Sequence, residues 1–283
     1  MGKEKEDSGI EKLPEGCIAH AIAHTSPLDA CRSSAVSTTF RAAADSDLVW
    51  HRFLPADTPS ILSSALRPFE YSSKRDLFFR LCDPILIDGG KMSMWLERST
   101  GAKCYMISAR ELTIVWGETP EYWRWISLPD SRFPEVAVRF PEVAELMNVC
   151  WLEIRGSIQS KLLTPKTTYA AYLVFKLAYR SRGLDDPPQQ ASVKVGLRSS
   201  TTLVCLQPRS AAARERRIRM GESDPPTLPL ARDNGWMEVA IGEFYNEEGE
   251  DGEVAISFTE IKGGHWKKGL IVEGIEIRPK HRK

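Results

Sequence analysis

The apolar residues of this chain change their spacing once, near Met92, and that switch limits what the chain can fold into. Before it, apolar positions recur three or four apart between capping residues, the rhythm of short helices. After it they alternate, the rhythm of strands. "LPEGCIAHAIAH" puts Ile18 and Ile22 four apart behind Pro14, a residue tolerated in a first helical turn. "TSPLDACRSSAV" offers Ser26 as a cap, Pro27 for the first turn and Asp29 for the positive helix end. "STTFRAAAD", "SDLVWHRFL", "SILSSAL" and "SKRDLFFRLCD" continue the series. Helices this short are not stable alone. The first four are expected to share a core of Leu13, Ile18, Ile22, Cys31, Val36, Phe40, Val49, Trp50 and Phe53, small enough to call for a partner protein.

Beyond Met92, "RELTIVW" alternates, with Leu112, Ile114 and Trp116 on one face. "VCWLEIRG" opposes Leu152 and Ile154 to Trp151, Glu153 and Arg155. "TYAAYLVFKLAY" is apolar on both faces, as a central strand would be. "SVKVGL", "WMEVAIGEF", "GEVAISFTEI" and "GLIVEGIEIR" complete the set. Many strands with almost no helix between them predict an antiparallel β-sandwich of jelly-roll type. The expected organisation is α + β multidomain: a disordered start at 1–9, a helical domain at 10–55, a helical linker at 56–91 and a sandwich at 92–283. Proline and glycine in "GESDPPTLP" mark 207–235 as a long mobile loop, and "RERRIR" inside it reads as a solvated charge run. The tandem copies "RFPEVAV" and "RFPEVAE" are too few for a solenoid, and their prolines argue for a duplication carried in a loop.

Composition removes whole classes of function. The 38 bases balance 38 acids, so no global field favours nucleic acid. The longest apolar run, "AAYLVF", cannot span a bilayer, and the polar start "MGKEKEDSG" is neither a signal peptide nor a myristoylation site. Cytoplasm or nucleus is the expected location. The six cysteines form no CxxC pair and read as buried thiols. "HAIAH" sets His20 and His24 on one helix face but lacks the glutamate of a zinc motif, so no metal site is expected there. Nothing calls for a cofactor, and no Ser–His–Asp order or well-placed acid pair suggests a hydrolase.

The residues from "LPEGCIAHAIAH" to "SDLVWHRFLP" resemble an F-box. "CYMISARELTIVWGETPEYWRWISLPDSRF", "VCWLEIRG", "YLVFKLAY", "GEFYNEEGEDGEV" and "HWKKGLIVEGIEIRPK" resemble the phloem protein 2 or Nictaba-type lectin domain of plants. Together they resemble plant F-box proteins of the phloem protein 2-B class; the second "RFPEVA" copy departs from that pattern. The resemblance implies a non-catalytic adaptor, the substrate-recognition subunit of an SCF-type cullin–RING ubiquitin ligase. Leu13, Pro14, Ile18, Pro27 and Asp29 would meet the Skp-type adaptor. It also implies binding of N-acetylglucosamine oligomers or N-glycans, with Trp116 and Trp123 matching the family's paired tryptophans and Glu253 and Glu260 its two acids. The alternative is an F-box adaptor whose sandwich binds a protein or peptide surface without sugar.

The residues carry part of this argument themselves. An indole suits the C–H face of a sugar ring, and a carboxylate suits its hydroxyls. Trp116 shares parity with Leu112 and Ile114, which favours burial, and only its place before Gly117 lets the ring tilt outward. The resemblance turns Trp116 and Trp123 to the surface and leaves Trp125 and Trp151 in the core. Alternation along "EVAISFTEI" puts Glu260 on the buried face of its strand, where a carboxylate needs a partner.

Overall fold

The computed structural model describes residues 9, 13–127, 140–208, 225–247, 252–262 and 264–280. The polar start up to residue 8, the first "RFPEVA" copy, "RERRIR" and the middle of the expected loop lie outside the described residues. Contacts divide the chain into two compact units: Met1–Ile85 with Trp95–Lys103, and Leu86–Met94 with Cys104–Lys283.

The first unit is helical: α1 (Glu15–Ile22), α2 (Pro27–Ser33), α3 (Thr38–Asp45), α4 (Asp47–Phe53), α5 (Thr58–Ser64) and α6 (Lys74–Leu81). Serine hydroxyls start four of them, with Ser46 accepting the Leu48 N–H at 3.3 Å at the head of α4. Ser26 accepts the Asp29 N–H at 3.1 Å, Ser37 the Phe40 N–H at 3.2 Å and Ser73 the Asp76 N–H at 3.1 Å. Each satisfies a donor that the helix itself leaves open. Trp50 anchors the core: its indole N–H reaches the Ala44 carbonyl at 2.7 Å, and its ring packs against Phe53, Phe78 and Phe79. Ile18, Ile22 and Val49 are buried with it, but the core draws on α6 through Leu77, Phe78 and Leu81. Leu13 and Val36, expected inside, are 44% and 64% exposed. A set of very short helices cannot close over every apolar residue, and α6 supplies the larger rings instead. The Trp95–Lys103 segment turns at Glu97, whose Oε2 accepts the N–H and hydroxyl of both Ser99 and Thr100 at 2.7 to 3.1 Å.

The strands are β1 (Ile85–Ile87), β2 (Met92–Leu96), β3 (Lys103–Ser108), β4 (Thr113–Ile114), β5 (Trp123–Ile126), β6 (Val143–Leu146) and β7 (Leu152–Gln159). They continue with β8 (Thr167–Arg182), β9 (Gln189–Val195), β10 (Arg198–Val204), β11 (Leu230–Ala231), β12 (Met237–Asn246), β13 (Glu253–Glu260) and β14 (Lys268–Pro279). Among the described residues they form a nine-stranded sheet, β1-β2-β3-β14-β8-β12-β11 with β5 and β6 attached, and a five-stranded sheet, β10-β9-β13-β7-β4. The run that is apolar on both faces is β8, flanked by β14 and β12 at the centre of the larger sheet. The sheets meet at close quarters: a Cβ on Gly156 of β7 would stand 2.7 Å from Leu112 and 3.2 Å from Ile275 of β14.

Two segments expected as loop carry strand. The second "RFPEVA" copy leaves its proline and runs into β6, paired with β5 and β14. The end of the 207–235 stretch pairs as β11 with β12, and Thr227 exchanges backbone hydrogen bonds with the Leu203 and Cys205 positions. Arg232 pins it further, bonding Glu238 at 2.7 Å and Glu276 at 2.8 Å.

Candidate functional site

Alternation along β13 sends Val254, Ile256, Phe258 and Glu260 inward and leaves Glu253, Ala255, Ser257 and Thr259 on the outer face of the five-stranded sheet. Register then builds rows across that face. Thr113, Arg155, Ser257, Ser192 and Thr201 lie abreast on β4, β7, β13, β9 and β10. Beside them run Ser157, Ala255, Lys194 and Ser199, and on the other side Glu153, Thr259, Gln190 and Leu203. Short hydroxylated or methyl side chains are the majority of these rows, with Arg155, Lys194, Glu153, Gln190 and Leu203 set among them. Ser192 and Ser257 share a hydrogen bond at 2.9 Å. A cleft of about 640 Å³ opens over this face, and its charged lining is mixed: Arg155 and Lys194 against Asp88, Glu111 and Glu253.

At one end of the face stands an indole. Trp151 is 41% exposed, and its N–H donates to Glu153 Oε2 at 2.7 Å, while Glu153 also pairs with Arg155. Two more exposed indoles belong to neighbouring segments at that end. Val115 bonds the Glu153 carbonyl at 3.1 Å, which carries Trp116 there; Val149 and Lys267 bridge as a strand pair, which carries Trp266. Trp116 is 43% and Trp266 52% exposed. Trp116 reaches its position through a left-handed backbone, φ 59, in the turn that ends β4, and its ring leans on Tyr122 with centroids 5.1 Å apart. The Trp266 segment is seated by Gly183, φ +71, where a Cβ would lie 2.3 Å from the Trp266 carbonyl oxygen.

The expected sugar-binding residues divide. Trp116 is presented to solvent, and Glu253 lines the cleft. Trp123 is corrected: it begins β5 with its side chain inside the sheet at 2% exposure, so no ligand can lie on its ring. Trp125, on the same parity, is half-buried, with its N–H on the Gly117 carbonyl at 3.1 Å and the Arg110 guanidinium 3.8 Å over its ring. Trp151, expected in the core, is the exposed one: it precedes β7 on the parity of Glu153 and Arg155, the outer side of the strand. Glu260 is corrected too. It is 5% exposed and closes an ion pair with Lys267, whose side chain has no exposed surface and whose ammonium also donates to the Cys150 carbonyl at 3.0 Å. Its other oxygen accepts the Lys262 N–H at 3.1 Å. Both Glu260 oxygens are occupied, so the pair shapes the chain beneath the indoles and offers nothing to a ligand. Glu253 and Glu260, at opposite ends of β13, stand on the order of 23 Å apart at strand rise and do not form one acid pair.

On the helical unit, Leu13, Pro14 and Asp29 are exposed, whereas Ile18 and Pro27 are buried and hold α1 and α2 in place. Leu28, 41% exposed, joins Leu13 and Val36 as open apolar surface; its signal was its place beside Pro27, on the free side of a one-turn start. The Ser26 hydroxyl and then Arg32 hold the Asp29 carboxyl below the usual aspartate range. Among the described residues no helix is long and apolar enough to cross a membrane, and no group of three or more His, Cys, Asp or Glu could hold a metal.

Comparison with known proteins accounts for both units. The family model described as phloem protein 2 matches residues 102–279, and the F-box domain model matches residues 10–52. F-box protein At2g02240 of Arabidopsis thaliana is 45% identical over 274 residues, covering 96% of this chain and 81% of that protein. F-box protein PP2-B10 of the same plant is 40% identical over 287 residues, covering 99% of this chain and 98% of its own length. A chain matched end to end by such relatives, with both domain models in the same order, belongs to the phloem protein 2 family and is one of its F-box members.

Proposed function

We propose that this protein is the substrate-recognition subunit of an SCF-type cullin–RING ubiquitin ligase and that its sandwich recruits glycosylated proteins. The F-box and phloem protein 2 domains imply the adaptor role. In this reading Leu13, Leu28 and Val36 dock on a Skp-type adaptor, and a glycan containing N-acetylglucosamine lies on the outer face of the five-stranded sheet. The protein supplies no chemistry of its own; it brings a substrate to ubiquitin transfer in the cytoplasm or nucleus.

The observation that carries the glycan half is that outer face: hydroxyls along the floor, charges of both signs at the rim and an exposed indole at the end. A neutral ligand rich in donors and acceptors satisfies both charge signs at once, whereas a polyanion would be repelled by Glu253, Glu111 and Asp88. Trp151 and Trp116 supply stacking faces, and Arg155 and Glu253 bond hydroxyls. The test is a glycan array probed with the full-length protein. Wild type should bind N-acetylglucosamine-containing glycans, and Trp151→Ala should bind about tenfold more weakly, one stacking face being worth ~1.4 kcal/mol. A blank wild-type array would sink the glycan half and leave the face as a protein- or peptide-binding surface.

A further inference from the structure

In the helical unit a cavity of about 600 Å³ opens between α1, α4, α5 and α6. Its wall carries His20, His24, His51, Arg52 and Lys74, and no aspartate or glutamate. The chain balances its acids and bases and has five histidines, so three of the five gathered on one acid-free wall is a local departure from the whole. The His20 and His24 rings meet edge to face with centroids 4.9 Å apart. Elsewhere in this unit Arg32, Arg75, Arg80, Arg98 and Lys103 each face an aspartate. Among the described residues Arg52 and Lys74 face none. The Lys74 ammonium stands 5.9 Å over the Tyr71 ring, and Asp47 uses its Oδ1 on the Lys74 backbone N–H at 2.8 Å. Beside the bases the wall offers apolar surface from Leu48 and Tyr71, 50% and 42% exposed, and from half-buried Leu62, with Leu54 and Leu77 closed beneath them.

We propose that this cavity binds a small amphipathic organic anion. The apolar body rests on Leu48, Leu62 and Tyr71, and a carboxylate, sulfonate or phosphate faces Arg52, Lys74 and the histidines. The volume falls within the roughly 300–1,000 Å³ of small-ligand sites, which pair an apolar lining with a few convergent polar groups. Arginine offers a planar fork to an oxyanion and lysine a point charge, and charge-assisted bonds of this kind are the strong ones. Leu13, Leu28 and Val36 do not line the cavity, so the site stands apart from the apolar surface assigned to the adaptor.

The test uses the full-length protein and anilinonaphthalene sulfonate, a fluorescent anion with an apolar body. The expected result is saturable binding of one probe per chain. Affinity should fall at least tenfold in Arg52→Glu/Lys74→Glu and in Leu48→Glu, which places a carboxylate at a half-exposed position on the rim. The uncharged phenylnaphthylamine counterpart should bind at least tenfold more weakly than the sulfonate. Far-UV circular dichroism matching wild type shows that each variant is folded. No saturable binding to wild type, unchanged affinity in the folded Leu48→Glu variant, or equal binding of the uncharged probe overturns the proposal.

Discussion

Glu260 and Lys267 show how a single pair can be half legible. Strict alternation along β13 places Glu260 inside, and the structure keeps it there without a bulge. Its partner lies past a turn, and pairing across a turn leaves no periodic trace, so Lys267 was not foreseeable. Taking two charges out of water costs several kcal/mol, and their attraction offsets this only while both are present. Glu260→Ala should therefore lower unfolding free energy by about 3–5 kcal/mol in urea titration; a loss below ~1 kcal/mol would mean that water reaches the pair. The tryptophans teach a related lesson. Trp123 and Trp151 exchanged their expected places: alternation along "VCWLEIRG" already sets Trp151 with Glu153 and Arg155 on the outer side, and it is the resemblance, not the alternation, that puts Trp151 inside and Trp123 at the surface. The cysteines, all expected inside, divide: Cys82, Cys104 and Cys205 are buried, and burial pushes the Cys82 thiol up to about 12, whereas Cys31 and Cys150 are half-buried and Cys17 is exposed. Brief native iodoacetamide treatment should alkylate Cys17 and spare Cys82, as read by peptide mass spectrometry.

Elements with their own local signal were legible, and elements defined by distant partners were not. The helices announce themselves through spacing and, in four of the six, through a serine cap, and Ser26, Pro27 and Asp29 occupy the roles their order suggests. The two-residue β11 has no alternation to read and exists because β12 pairs with it and Arg232 bridges Glu238 and Glu276. Arg232→Ala should raise amide hydrogen exchange across 227–232 by at least tenfold while leaving β8 protected. The turn after β2 makes a pH prediction. Burial would raise the Glu97 carboxyl, but hydrogen bonds from Thr100 and Ser99 outweigh it and hold the group below the usual glutamate range. A carboxyl depressed in the folded state contributes stability above its unfolded pKa, about 4.3, and loses it as pH falls through the folded value. The stability gap between wild type and Glu97→Gln should stay constant from about pH 8 to 6 and shrink between about pH 5 and 3. A gap that widens on acidification would contradict the hydrogen-bond account.

At the scale of the molecule, the change of hydrophobic period marks two kinds of architecture, and each unit carries a surface of its own. If those surfaces serve different partners, they should fail independently. Leu28→Asp should reduce co-purification with a Skp-type adaptor at least tenfold and leave glycan binding intact, and Trp151→Ala should do the reverse. Loss of both activities from either variant, with folding preserved, would mean that the two halves do not work separately. The two-sheet class was readable because alternation repeats over many strands. The outer face was not, because it arises from register among β4, β7, β13, β9 and β10, which no single segment encodes.

The complete enclosure of Lys267 has a further consequence for a protein assigned to a ubiquitin ligase. Its amine cannot be acylated, by ubiquitin or by any reagent, while the fold is intact. Exposed amines such as Lys194 should react first with an N-hydroxysuccinimide ester, and modification of Lys267 would serve as a built-in gauge of how often this end of the sandwich opens.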